Sequence, residues 1–136
     1  MNKATKQISK LFAAMAMAGV ASYSVAADTI KIALAGPVTG AVAQYGEMQF
    51  IGAKMATEQI NKAGGVMGKK LEPVVVDPAS NWPLFAEKAR QLLTKDKVAV
   101  TFGCWTSVSR KSVLPVYEEL NSLLFYPVQY EGEELS

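Results

Sequence analysis

Apolar runs of strand length alternate along this chain with segments whose apolar residues recur at helical spacing, and that alternation limits the fold more than any short motif does. "TIKIALA" (residues 29–35) puts Ile30, Ile32 and Leu34 on one face and small Ala33 and Ala35 on the other, as a buried parallel strand does. From residue 44 to 63, Tyr45, Met48, Gly52, Met55, Ala56, Ile60 and Ala63 recur at helical spacing, and Gly64-Gly65 supplies the stop. "LEPVVVD" (71–77) reads as a second strand. A second helix follows, with Ser80 or Asn81 as N-cap, Pro83 in the first turn where its missing N–H does no harm, and a core stripe of Leu84, Phe85, Ala89, Leu92 and Leu93. "VAVTFG" (98–103) is the third strand, "SVLPVYEEL" (112–120) a third helical segment and "LLFYPV" (123–128) the fourth strand. Pro115 cannot donate the i to i−4 bond, so the third helix either starts near Leu114 or kinks there. The expected fold is a doubly wound α/β layer with a parallel sheet and right-handed crossovers.

Composition removes several functions. Half of the 136 residues are hydrophobic and about a fifth are charged, the balance of a globular protein. The absence of histidine excludes Ser-His and Cys-His nucleophilic pairs and His-containing zinc sites within this chain. The lone Cys104 cannot close an internal disulfide, and beside Trp105 at a strand end it reads as a small buried thiol. Lys3, Lys6 and Lys10 precede an apolar run, residues 11–21, that is too short to span a bilayer and matches the core of a signal peptide. Ser24 and Ala26 then occupy the small-residue positions of a cleavage site. Residues 1–26 are therefore expected to direct export and to be removed near Ala26. The rest carries 11 basic and 12 acidic residues, which removes the electrostatic basis for a nucleic-acid partner.

In a doubly wound layer, ligands collect at the carboxyl ends of the strands. "GPVTGAVAQYG", "GCWTSVSRK" and "YPVQYEG" all follow strands and are expected to share one rim. They bring glycine backbone, the hydroxyls of Thr106, Ser107 and Ser109, and the rings of Tyr45, Trp105, Tyr126 and Tyr130. Such a set clasps a small ligand and does not assemble a reaction centre. "GPVTG" lacks the third glycine and the acidic ribose ligand of a dinucleotide loop, and "GGVMGKK" lacks Walker spacing. Arg110-Lys111 defaults to a solvated helix face, and Asp77, Glu118 and Glu119 default to cap and surface roles.

"ADTIKIALAGPVTGAVAQYGEMQFIGAKMATEQINKAGGV" resembles the start of the periplasmic leucine/isoleucine/valine-binding proteins of ABC transporters. From "GGVMGKKLEPVVVD" through "GCWTSVSRK" to "LLFYPVQYEGEELS" the chain resembles the urea and short-chain-amide binding proteins of the same superfamily. The change falls near "AGGVMGKK", a pattern open to a natural mosaic, an assembly artefact or an intermediate subfamily. Both families are type I periplasmic binding proteins with two α/β lobes and a hinged cleft. The resemblance implies that residues 27–136 form part of the N-terminal lobe, with the second lobe absent. It implies amide-pocket roles for Trp105, Thr106, Ser107, Tyr126 and Val128, and a leucine-type pocket wall at Tyr45.

The expectation is an exported, non-enzymatic binding component that takes urea or a short-chain amide in an interlobe cleft and delivers it to an inner-membrane ABC permease. No cofactor, metal or catalytic residue is expected. The alternatives are a branched-chain or aliphatic amino-acid binder and an amide-responsive sensor of the same fold.

Overall fold

The computed structural model describes residues 29–132; the expected signal segment and its cleavage position lie outside the described residues. Four strands and three α-helices follow in order among the described residues: β1 (Ile30–Ala35), α1 (Ala43–Lys62), β2 (Leu71–Val76), α2 (Trp82–Gln91), β3 (Val100–Gly103), α3 (Ser107–Glu119) and β4 (Leu124–Phe125). The strands form one parallel sheet in the order β2-β1-β3-β4. β1 is therefore central, and its Ile32, Ala33 and Leu34 are all buried.

The two faces of the sheet are covered unequally. On one, Ala33, Val76, Leu92 and Val98 cluster beneath α2, and Phe85, Ala89, Cys104, Val113, Val116 and Tyr117 join α2 to α3. On the other, Ile32, Leu34, Val100 and Phe102 line a cavity of about 700 Å³ whose far wall is Phe50, Ala53 and Ile60 of α1. Helix α1 thus stands off the sheet, and its only buried residues are Gly46 and Thr57. Several of the apolar residues that recur at helical spacing along it lie in solvent, Met48 at 69% and Met55 at 56% exposure. At its C-terminus, the Asn61 amide bonds both the N–H and the C=O of Leu71, which ties the helix to the start of β2.

Local chemistry sets the element ends. Asn81 caps α2 by accepting from Leu84 N at 3.2 Å, with Pro83 in the first turn, and the helix runs on through a π-helical turn at Leu92–Asp96 to left-handed Lys97. Of the two readings open at Pro115, a helix start near Leu114 is not the one found for α3. Thr106 Oγ1 accepts from Ser109 N while Ser109 Oγ accepts from Thr106 N, so a capping box starts the helix at Ser107 and Pro115 lies inside it. The fourth strand is also shorter than expected, with only Leu124 and Phe125 in the ladder. Its partner β3 ends at Gly103, where Cys104 turns away at φ 66°, and Pro127 has no N–H with which to continue.

Candidate ligand site

The carboxyl ends of β1, β3 and β4 bring the expected rim together. Tyr45, in the first turn of α1, stacks on Trp105 with ring centroids 4.2 Å apart and planes within 4°. The Tyr126 hydroxyl donates to Trp105 O at 3.1 Å, which fixes the backbone just before α3. These rings do not form two walls with a slot between them. At that separation Tyr45 and Trp105 are in direct contact and make one wall, into which no flat ligand intercalates.

Thr106 and Ser107, adjacent in sequence, have different tasks. The Thr106 hydroxyl is occupied as the cap of α3. Ser107 is the first helical residue, and its hydroxyl donates outward to the Glu131 carboxylate at 3.2 Å. The cap claims the amide of Ser109, while Ser107 and Val108 lie in the first turn of this 13-residue helix, where amides have no intrahelical partner. Val128 is half-buried in the segment after β4, and among the described residues no hydrogen bond or ring contact joins it to the other five.

The neighbouring loops are fastened together by one carboxylate. Asp77, at the end of β2, accepts from Val38 N at 3.0 Å, Ala79 N at 2.7 Å and the Thr39 hydroxyl at 2.6 Å. Partial burial pushes its pKa up, but these bonds outweigh that and hold it below the ordinary value. Ser80 adds a second tie, donating to Thr39 O at 2.9 Å.

Sequence reading placed Arg110 on a solvated face, and the structure corrects this. Arg110 is 6% exposed, lies over the rings of Tyr126 (4.9 Å) and Tyr130 (4.5 Å), and donates from Nη2 to Glu131 O at 2.8 Å. Its position one helical turn after Ser107, with two tyrosines in "YPVQY", was the available signal. Glu131 was also missed. Cys104 is buried as expected, and burial pushes its thiol up to about 12, which keeps it protonated. Among the described residues, no group of three or more metal-ligating side chains occurs.

A family model described as "Periplasmic binding protein domain" matches residues 30–136. The chain belongs to the periplasmic binding protein family. A leucine-, isoleucine-, valine-, threonine- and alanine-binding protein of Pseudomonas aeruginosa is 54% identical over 93% of the chain. A leucine-specific-binding protein of Salmonella typhimurium is 34% identical over 90% of it. This periplasmic binding domain spans about a third of the length of those two relatives. A solved branched-chain amino acid transporter substrate binding protein from Streptococcus pneumoniae, in complex with isoleucine, superposes with a TM-score of 0.70 and 32% identity. That match covers 71% of this chain and 28% of the other.

Proposed function

We propose that this periplasmic binding domain belongs to an exported solute-binding protein that takes an aliphatic amino acid and passes it to an inner-membrane ABC permease. The observation that carries this reading is Ser107, whose outward hydroxyl at the start of α3 already bonds a carboxylate. A ligand α-carboxylate meets the same hydroxyl and the first-turn amides of Ser107 and Val108. The Tyr45–Trp105 pair then offers one apolar wall for an aliphatic side chain. The 54% identical Pseudomonas relative, named for four aliphatic amino acids and threonine, supports this ligand class. The urea or short-amide reading has weaker support, because a planar ligand gains little from rings that stack on each other.

The test is calorimetric titration of the domain joined to the remaining two thirds of the Pseudomonas relative. Leucine, valine and alanine bind tighter than urea or acetamide. Removing the Ser107 hydroxyl (Ser107→Ala) weakens leucine binding by about 1–3 kcal/mol, roughly ten- to a hundredfold, and Trp105→Ala costs at least as much. Tighter binding of urea or acetamide, or indifference to both substitutions, overturns the amino-acid reading.

A further inference from the structure

We propose that Glu131 is a specificity-determining residue of this site, held in place by Arg110, and that it takes the α-ammonium of an amino-acid ligand. The inference rests on the amino-acid reading above and deepens it.

Arg110 lies on α3 one turn after Ser107, and the same side chain reaches three residues of the segment after β4: Tyr126 and Tyr130 through their rings and Glu131 through its backbone carbonyl. A guanidinium that is 6% exposed and held by two aromatic faces loses little further entropy in making that hydrogen bond. It therefore acts as a latch that fixes where the backbone of Glu131 runs past the start of α3. The Glu131 side chain is left exposed, and its carboxylate reaches the Ser107 hydroxyl.

Two carboxylates do not share one hydroxyl comfortably, because like charges at hydrogen-bond distance repel. An incoming α-carboxylate that bonds Ser107 and the first-turn amides displaces the Glu131 carboxylate, while the latched backbone stays. The displaced carboxylate is then near the ligand's α-carbon, which carries the ammonium. The helix N-terminus receives the negative end of the zwitterion and Glu131 the positive end. A ligand with a carboxylate and no ammonium meets the displacement cost without that compensation. Arg110 touches no ligand in this scheme; it is a positioning residue.

The chimera described above tests this with leucine and its 2-oxo analogue, 4-methyl-2-oxopentanoate. The unsubstituted protein prefers leucine by tenfold or more. Glu131→Gln, at an exposed side chain, keeps the fold, weakens leucine at least tenfold and leaves the 2-oxo acid unchanged or tighter, so the preference collapses. Arg110→Met lowers the same preference and speeds amide hydrogen exchange over residues 126–131. An unchanged preference in Glu131→Gln, or a gain in leucine affinity, overturns the proposal while the amino-acid reading stands. Equal binding of leucine and the 2-oxo acid by the unsubstituted protein does the same. Binding of neither overturns both.

Discussion

Gly46 lets the first turn of α1 lie against the loop after β1, since a Cβ there would overlap the carbonyl oxygen of Pro37. That contact sets Tyr45, the preceding residue, against Trp105. Gly52, two turns further along the same helix, meets nothing within 4 Å of where its Cβ would be. The two glycines therefore respond oppositely to alanine. Gly46→Ala forces backbone to move and destabilises by about 2 kcal/mol or more. Gly52→Ala removes the entropy penalty of a glycine in a helix and stabilises by roughly 0.5–1 kcal/mol. Urea unfolding of the two variants checks both signs, and a stability gain at Gly46 would show that the helix does not lie against Pro37. The sequence puts Gly52 in the helical stripe and Gly46 at the end of the rim segment "GPVTGAVAQYG", but only the neighbouring loop at Pro37 shows that they respond oppositely.

Strands and helices announced themselves through periodicity, and every element expected from the sequence is present. Their ends were less legible, for reasons that can be named. The start of α3 depends on a reciprocal cap in which Ser109 replaces the usual Glu or Gln, so "TSVS" carries no familiar signature. The length of β4 depends on where β3 turns away, which is a property of the partner strand. The burial of Arg110 needs tyrosines from a segment that follows another strand. Of the six site residues named from the sequence, Tyr45, Trp105 and Tyr126 meet through rings and a hydrogen bond, whereas the roles of Thr106 and Ser107 separate only once the cap is seen. The same scale holds a pH prediction. Because the folded state lowers the pKa of Asp77, its bonds to the β1–α1 loop stabilise the fold above the ordinary carboxylate range, and that contribution is lost as pH falls through the folded value. Asp77→Asn is therefore less stable than the parent at neutral pH, and the gap closes on acidification. A gap that persists at low pH in thermal melts would assign the effect to shape and not to charge.

At the scale of the molecule, the sheet is well covered by α2 and α3 and thinly covered by α1. The cavity of about 700 Å³ under α1 and the exposed Met48, Ile51 and Met55 on the helix itself leave apolar surface open on this side. The folded chain on its own therefore enhances the fluorescence of a naphthalene-sulfonate dye at neutral pH and associates as its concentration rises. A dye-silent, monomeric species in sedimentation experiments would show that α1 closes onto the sheet in solution. The strand order has a consequence for timing. β1 is made before its partners yet sits between them, with Ile30 paired to Leu71 and Ile32 to Val100, so its two ladders close only after β2 and then β3 have left the ribosome. For a protein proposed to cross a membrane as an extended thread, the central strand that follows the expected cleavage position is the part held back longest from premature folding.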